Sequence, residues 1–382
     1  MGSARPGYLL NFLTPAGSFY EITRGKPYEL SEEERRQAGL TPETWSLEIV
    51  PDEPPWAPSL GKAFRREDRT AITLRDLEDL FRARPVRCVK TMQCLLDAPA
   101  SGFCSNGFWD GVALRDVLAR LGKLENVRRL FYWGFHKDPK NRFVSSLSLS
   151  EVLETPPGHL PVFLAFRLNG EPLPIERGGP VRMLVPEAYG FKSIKWLQRI
   201  VLTNDYKAND SYAEKNNDPQ SPMKTLARLD VHAAQTFKKG EAVVLRGIAV
   251  VGASGLKRVE SWLRRDQGTH GVLSQDDPAW AAAEWKEIAL PPGPAESWAS
   301  LLPERKFPEG VHFLDPRTGK PRVWPLPFSW MPWSLKLEGL EPWAYEFRVR
   351  AVDHNGFAQP EPRPNNQSGI ADVPCMTFVV MA

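Results

Sequence analysis

The high frequency of proline limits the fold of this chain more than any other feature of its sequence. There are 36 prolines among the 382 residues, about 9% against an ordinary usage of about 5%, and they follow no repeat. Each proline fixes φ and removes a backbone hydrogen-bond donor, which interrupts helices and the interior of sheets. The sequence therefore predicts many fixed turns and loops with modest helix content.

Length and composition indicate a globular protein of about two domains. A chain of 382 residues is too long for one small domain when a domain has roughly 150 residues. Apolar residues make up 42% and charged residues 25% of the chain, so wholesale disorder is excluded. A net charge of +3 is too small for the one-sided basic field of a non-specific nucleic-acid binder. We expect no nucleic-acid partner, whereas an anionic small substrate requires only a local basic cluster.

No stretch of the sequence predicts a membrane span or an export signal. The longest apolar runs, such as 162–166, are strand-sized and fall well short of the ~18 residues that a spanning helix needs. The first residues hold one arginine and no adequate apolar segment, unlike an export signal. The compartment stays open at this point: the bacterial periplasm if a leader was removed, otherwise the cytoplasm.

Residues 12–203 alternate short strand-like runs with turn clusters, which predicts a mixed α/β domain. A helix is predicted at 73–84, where Thr73 can act as the cap, Asp76 follows three residues later and leucines recur at helical spacing. A second helix is predicted at about 112–121. The predicted fold class is thus α+β, with the first domain over residues 1–215.

The chain becomes polar and unpatterned at 204–225, which indicates a long connector and a domain boundary. Beyond it, short strands alternate with Pro/Gly turns and no helix lies between them, which indicates a β-sandwich over residues 226–382. The predicted strands include 242–251, 259–263, 284–290 and 344–352.

The four cysteines, Cys88, Cys94, Cys104 and Cys375, lack the CxxC spacing of a zinc site or a haem-attachment motif. Cys94 follows a strand-like stretch at 86–92 and should lie where the chain enters a loop. A thiolate there could bind a soft metal. The alternative for a lone cysteine is a small buried hydrophobic residue, and this reading applies to the other three.

Several sequence blocks resemble, in order, the sulfite oxidase family of molybdenum enzymes, and they cover almost the whole chain. The blocks are T-M-Q-C at 91–94, W-D-G-V-A-L-R-D-V-L at 109–118, L-N-G-E-P-L-P at 168–174, G-G-P-V-R at 178–182, G-F-K-S-I-K-W-L at 190–197 and R-V-R-A-V-D-H-N-G at 348–356. The last block resembles the end of the family's Ig-like dimerisation domain. The spacing between the first two fits the shorter bacterial members.

The resemblance implies a molybdenum–molybdopterin cofactor with Cys94 as the protein's ligand to the metal. It implies that Arg182 and Lys195 bind the pterin phosphate, with Ser193 and Ile194 in a turn that offers backbone N–H groups. Without the resemblance, Arg182 and Lys195 would be interpreted as solvated surface cations.

Looser matches imply further contacts. The F-Y-E segment formed by Phe19, Tyr20 and Glu21 resembles a strand that lines the pterin, and its register places Thr23 or Arg24 at the family's substrate-facing arginine. An edge strand with an exposed arginine is the alternative. His136 falls where the family has a polar residue against the cofactor, although a lone histidine is more often structural.

The chain also departs from the family. The segment 95–100 reads L-L-D-A-P-A where animal and plant sulfite oxidases have A-G-N-R-R, so one anion-binding arginine is missing. Arg177 replaces the histidine of the H-G-x-P block, and its fixed charge could partly compensate. The position of the family's active-site tyrosine is Asn216 here, and the nearest tyrosines are Tyr206 and Tyr212.

The function implied is two-electron oxygen-atom transfer at sulfur, with sulfite oxidised to sulfate and electrons passed to a separate carrier such as a cytochrome. In this reading Arg177 and Arg24 are the cations left to hold the substrate, and the chain forms a homodimer through the sandwich. Two alternatives stay open. One is a sulfoxide reductase of the same family, and the other is a non-catalytic two-domain binding protein whose cofactor site is empty.

Overall fold

The computed structural model describes residues 11–22, 26–99, 101–156, 158–215, 217–230, 235–266, 272–275, 277–280, 282–360 and 368–382. Helices are few and short in this part of the chain, as the prolines predict. They are α1 (Glu32–Gln37), α2 (Leu74–Ala83), α3 (Leu114–Leu118) and α4 (Leu149–Leu153). The mixture of short helices and sheets, followed by an all-β half, confirms the predicted α+β class.

The first predicted helix forms for the expected local reason. The hydroxyl of Thr73 accepts from the Asp76 N–H, and the Asp76 carboxylate accepts from the Thr73 N–H, which closes a capping box. The second prediction is wrong at its start. Val112 and Ala113 belong to a strand, because they pair with Leu164 and Phe163 across the sheet.

The first half of the chain forms two main sheets. Its strands are β1 (Ser46–Pro51), β2 (Ser59–Leu60), β3 (Ile72–Thr73), β4 (Val86–Gln93), β5 (Cys104–Ala113), β6 (Leu124–Glu125), β7 (Arg129–Gly134), β8 (Ser145–Ser148), β9 (Phe163–Leu168), β10 (Glu171–Pro172), β11 (Arg182–Leu184) and β12 (Leu197–Thr203). One sheet has the order β3-β1-β12-β7-β8, and the other has the order β10-β9-β5-β4 with β11 paired to β9. Every residue of β5 is buried, so this strand lies at the centre of the domain.

The second half forms a β-sandwich, as predicted. Its strands are β13 (Leu226–Leu229), β14 (Gln235–Lys238), β15 (Val243–Val250), β16 (Arg258–Arg265), β17 (Lys286–Ile288), β18 (Trp330–Leu337), β19 (Trp343–Val352) and β20 (Cys375–Met381). A sheet of order β13-β15-β18 faces one of order β14-β20-β19-β16-β17. Leu245 and Trp333 of the first sheet share a buried core with Phe347 and Phe378 of the second.

The two halves are in contact through side-chain packing and a backbone hydrogen bond, in addition to the covalent connection of the chain. The segment between β17 and β18 returns to the first half, where Phe307 packs edge-on against Phe108 with ring centroids 5.3 Å apart. The Thr91 N–H on β4 donates to the Phe328 carbonyl at 2.7 Å. One buried apolar cluster therefore contains residues of both halves.

The segment at 204–225, for which the sequence predicts a long connector, is partly buried. Asp210 and Ser221 are fully buried. The Asp210 carboxylate accepts from the Ser146 hydroxyl at 2.9 Å and lies 3.7 Å from the Lys192 ammonium. The Asp205 carboxylate, in contrast, accepts from Lys207 and Asn209 within the segment. The polar composition of the segment therefore reflects buried hydrogen bonding as well as turns. In the described part of the chain, no helix is long and apolar enough to cross a membrane.

Candidate active site

A cavity of about 340 Å³ opens beside the end of β4 and collects most of the residues that the sequence singled out. The cavity is lined by residues from six separate stretches of chain, which supply one thiol, several cations and an apolar wall. They include Phe19, Tyr20, Ile22, Cys94, Leu95, Leu96, Phe135, His136, Phe143, Arg177, Arg182, Phe191, Ser193, Ile194, Lys195, Tyr212 and Lys215.

Cys94 is the cysteine that lines this cavity in the described structure. It comes directly after β4, where its N–H donates to the Phe103 carbonyl at 2.9 Å. Its Sγ accepts from the Leu96 N–H at 3.4 Å. Burial raises the pKa of the thiol to about 11, partly opposed by that N–H. A bound metal cation would reverse this preference and favour the thiolate.

The other three cysteines lie outside this cavity. Cys88 and Cys104 are completely enclosed in the core, and burial raises the pKa of both thiols. Cys375 is on β20 of the sandwich.

Arg182 spans two neighbouring segments at the inner end of the cavity. Its Nη1 donates to the Arg177 carbonyl at 2.7 Å, and its Nη2 donates to the Ser193 carbonyl at 2.6 Å. Its Nε is buried without a hydrogen-bond partner in the described part of the chain. Burial lowers the pKa of Arg182 to about 10, so the group stays charged at neutral pH and its positive charge is held inside the protein.

Lys195 and Arg177 add two more cations. The Lys195 ammonium donates to the Glu176 carbonyl at 3.1 Å, and burial, followed by the charge of Arg182, lowers its pKa to about 7. Arg177 donates through Nε to the Ala16 carbonyl at 2.9 Å. Its Nη1 is buried and makes no hydrogen bond within the described residues.

The prediction that Ser193 and Ile194 offer backbone N–H groups is not what the turn shows. The Ser193 N–H donates to the Gly190 carbonyl at 3.0 Å, and the Ile194 N–H donates to the Lys192 carbonyl at 3.1 Å. Both N–H groups are therefore already bonded to carbonyl oxygens of the same turn. Buried arginine nitrogens, rather than these amides, are the donors left for a ligand.

Two residues of the F-Y-E segment, Phe19 and Tyr20, line the cavity, and the third, Glu21, makes contacts outside it. Phe19 is buried edge-on against Trp109, with ring centroids 5.8 Å apart, and Tyr20 lines the cavity. Burial, followed by the nearby Cys94, raises the pKa of Tyr20 well above its usual value. The Glu21 carboxylate instead accepts from the Tyr28 hydroxyl and lies 3.9 Å from Arg177.

Some of the predicted contacts cannot be located, because they fall on residues that the structure does not describe. Thr23, Arg24 and Asn216 lie outside the described residues. His136 lines the cavity, and its Nε2 accepts from the Phe143 N–H at 3.0 Å, so its ring is fixed at the wall.

Of the two tyrosines nearest to Asn216, the position of the family's active-site tyrosine, Tyr212 lines the cavity. Its ring stacks on Phe191 at a centroid distance of 3.8 Å and an interplanar angle of 1°, whereas Tyr206 is 68% exposed. Lys215 also lines the cavity. Sequence reasoning missed this wall because the surrounding segment looked like a connector, although the tyrosine itself was a usable signal.

The donor set fits a metal that brings most of its own ligands. The described residues contain no cluster of three or more His, Cys, Asp or Glu side chains able to hold a metal ion. What the cavity offers is one thiol together with two buried arginine nitrogens that make no hydrogen bond within the described residues. They are Arg182 Nε and Arg177 Nη1, and the latter lies 3.9 Å from the Glu21 carboxylate. One soft ligand and an unsatisfied cationic cradle suit an anionic organic cofactor that carries the metal.

Comparisons with known proteins agree with this chemistry. Residues 41–211 match the family described as oxidoreductase molybdopterin binding domain. The mitochondrial sulfite oxidase of Drosophila melanogaster is 27% identical over 271 residues, which are 68% of this chain and 42% of that protein. The NADPH nitrate reductase of Fusarium oxysporum is 33% identical over 105 residues, which are 28% of this chain and 11% of that protein.

Among solved structures, the sulfane dehydrogenase SoxCD from Paracoccus pantotrophus has the same overall fold. The alignment has a TM-score of 0.63 and 19% identity, and it covers 97% of this chain and 84% of that chain. The chain spans less than half the length of these two curated relatives.

Proposed function

Because the chain belongs to the sulfite oxidase-like family of molybdopterin-binding oxidoreductases, we propose that it transfers an oxygen atom at the sulfur of a small substrate. The observation that carries this proposal is the convergence of Cys94 with Arg177, Arg182 and Lys195 on one cavity. A thiol and three cations from three stretches of the sequence meet where an anionic metal cofactor would need them.

Molybdenum held by molybdopterin is the cofactor of this family, and in this chain Cys94 would supply the protein's thiolate ligand. Arg182 and Lys195 would bind the phosphate, since two partly desolvated cations bind an anion more strongly than solvated ones do. When bound, the cofactor supplies the two-electron redox change and the oxygen atom that is exchanged. Phe19, Tyr20 and His136 would contact the pterin and exclude water from it.

The first substrate that we propose is sulfite. Sulfite and water give sulfate, two electrons and two protons, so the electrons must leave to an acceptor. Arg177 supports this choice because its buried Nη1 makes no hydrogen bond within the described residues and lies 3.9 Å from the Glu21 carboxylate, so it can still donate to an anionic oxygen. Arg24 is the second candidate cation. A separate electron-transfer protein such as a cytochrome would accept the electrons.

A second substrate class, a neutral sulfoxide that is reduced to a thioether, is favoured by the cavity's apolar wall. Leu96 is 46% exposed and Ile22 is 48% exposed, and both line the cavity. Large apolar side chains that stay in contact with solvent at a cavity suit an organic ligand. A missing anion-binding arginine would cost such a neutral substrate nothing.

Molybdenum analysis and two steady-state assays test the proposal. Protein purified from a host that makes the cofactor should contain close to one molybdenum per chain. Sulfite oxidation with a cytochrome acceptor would be measured beside dimethyl sulfoxide and methionine sulfoxide reduction with a viologen donor. Sulfoxide turnover without sulfite turnover from a loaded sample would replace the first substrate with the second, and protein without molybdenum would contradict the proposal itself.

We also propose two domains, residues 1–215 and 226–382, and a homodimer formed through the sandwich. The change from mixed sheets to the all-β half occurs between Thr203 and Leu226, which supports that division. Sedimentation equilibrium tests the dimer directly, because a mass of twice 43.1 kDa is expected.

A further inference from the structure

Asp97 is the centre of a hydrogen-bonded network in the loop that follows Cys94. The described residues of this loop are 95–99 and 101–103, and we call it the Cys94 loop. Its N–H donates to the Cys94 carbonyl at 3.0 Å. Its carboxylate accepts from Gln93 Nε2 at 3.1 Å, from the Ser101 hydroxyl at 2.7 Å and from the Phe103 N–H at 2.8 Å. A single buried side chain thus connects residues on both sides of the candidate metal ligand.

The sandwich reaches into this unit through Arg228 on β13. The Arg228 Nε lies 3.3 Å from the Asp97 carboxylate, and its Nη2 donates to the Asp97 carbonyl. The two side chains are 4% and 2% exposed. A second contact comes from the end of the chain, where the Ile370 N–H donates to the Leu95 carbonyl at 2.9 Å.

We propose that Arg228 is a positioning residue that sets the conformation of the Cys94 loop from the other domain. The inference rests on the proposed function, in which Cys94 is the metal ligand. Backbone and side-chain acceptors of Asp97 are both held by one guanidinium, whose planar fork fixes direction as well as distance. The sandwich would then be part of the metal site, because one of its strands determines where the Cys94 sulfur lies.

Loss of Arg228 would affect the loop more than the join between the halves. The Asp97 carboxylate would remain buried beside Cys94 without its cation, which is an unfavourable state that local opening relieves. The apolar cluster shared by the halves does not involve Arg228, so the domains should stay packed. A contact that only joined the halves would behave differently, and the chain provides such a contact for comparison.

Arg87 is that matched control. It lies at the start of β4, whereas Cys94 follows the end of the same strand. Its Nη1 donates to the Glu309 carbonyl of the second half at 2.7 Å. Arg87 and Cys94 are separated by seven steps along an extended chain, or roughly 20 Å. Arg87→Met therefore removes an arginine contact between the halves, together with the 3.6 Å contact of Arg87 Nε with Asp110 on β5, and leaves the Cys94 loop untouched.

The test measures how fast iodoacetamide alkylates Cys94 in the full-length, cofactor-free protein, followed by mass spectrometry of the Cys94 peptide. We expect Arg228→Met to accelerate alkylation about tenfold, since a small shift in local opening changes exposure by that order. Arg87→Met should stay within about twofold of the parent protein. Arg228→Lys, which keeps the charge without the fork, should fall between them and covers the case in which Arg228→Met fails to fold.

Equal rates in the Arg228 variants and the parent protein, or equal acceleration by Arg87→Met, would overturn the positioning role. The cofactor-loaded proteins give a second readout, because a displaced sulfur should weaken molybdenum-linked absorption in the Arg228 variants alone. A parent protein that contains no molybdenum would refute the proposed function, while the alkylation rates would still decide the role of Arg228.

Discussion

The Nη2 of Arg182 lies 2.6 Å from the carbonyl oxygen of Ser193, which joins β11 to the turn before β12 along one side of the cavity. The bond uses one donor of the guanidinium, and the Arg177 carbonyl accepts from a second. The buried Nε remains without a partner within the described residues. Arg182 is therefore held rigidly while it retains a donor and a charge for an anionic ligand.

Arg182→Met should reduce the pterin content of the purified protein. Loss of a charge-assisted hydrogen bond costs about 1.5 to 3 kcal/mol, which is roughly a ten- to a hundredfold loss of affinity. The measurement is the fluorescence of the oxidised pterin released from a known amount of protein. Arg199→Met is the control, because Arg199 is on β12, the next strand along the chain, but pairs with Glu48 at 2.9 Å. Equal pterin content in both variants would exclude Arg182 from the cofactor site.

Anion binding by the cofactor-free protein should weaken as the pH rises from 6 to 8. The pKa of Lys195 is about 7, so its charged fraction falls from about nine-tenths to about one-tenth across this range. The groups around it are Arg177 and Arg182, which keep their charge, and the acids Glu21 and Glu176. Sulfate is the probe because it remains a dianion, and calorimetry should give a dissociation constant about tenfold higher at pH 8.

Lys195→Arg is the control for this pH dependence. Arginine stays protonated throughout the range, so the dissociation constant of the variant for sulfate should hardly change between pH 6 and 8. The same pH dependence in the variant and the parent protein would mean that another group titrates.

Arg177→Met should raise the KM for sulfite about ten- to a hundredfold, since one charge-assisted contact to the anion is lost. The KM for dimethyl sulfoxide should be unaffected, because that substrate is neutral. Steady-state kinetics of both reactions give this comparison within one protein preparation. Equal changes for the two substrates would place Arg177 at the cofactor instead of the sulfite.

Tyr212→Phe should separate the hydroxyl from the ring. The variant keeps the stack on Phe191, so its thermal midpoint and molybdenum content should match those of the parent protein. If the hydroxyl assists the reacting oxygen, kcat/KM for sulfite should fall by about a hundredfold. Tyr212→Ala, which also loses the stack, should lower the midpoint as well. Unchanged sulfite kinetics in Tyr212→Phe would leave the ring as a structural wall.

Features that depend on neighbouring residues could be predicted from the sequence. Thr73 and Asp76 cap α2 through bonds three residues apart, and the spacing of β-branched runs and turns was enough to predict the sandwich. The start of α3 could not be predicted in this way. Val112 and Ala113 follow a helical pattern locally, but their pairing with β9 is decided by a strand some fifty residues away.

The parts of the site that escaped prediction depend on long-range burial. The local sequence around Asp210 is typical of a linker, and its contacts with Lys192 and Ser146 are visible only in the structure. Nothing in the local sequence of Arg228 indicates that it meets Asp97 across the two halves. Cys94, Arg182 and Lys195 were singled out by family resemblance, and their shared cavity was visible only in three dimensions.

The central claim, that Cys94 is the protein's ligand to molybdenum, is tested most directly by X-ray absorption at the molybdenum edge. The spectrum counts the sulfur atoms bound to the metal in the parent protein, in Cys94→Ser and in Cys104→Ser. Serine replaces a soft thiolate by a hard oxygen ligand, so the account predicts one sulfur fewer in Cys94→Ser alone. An unchanged sulfur count in Cys94→Ser, or the loss of a sulfur in Cys104→Ser, would contradict it.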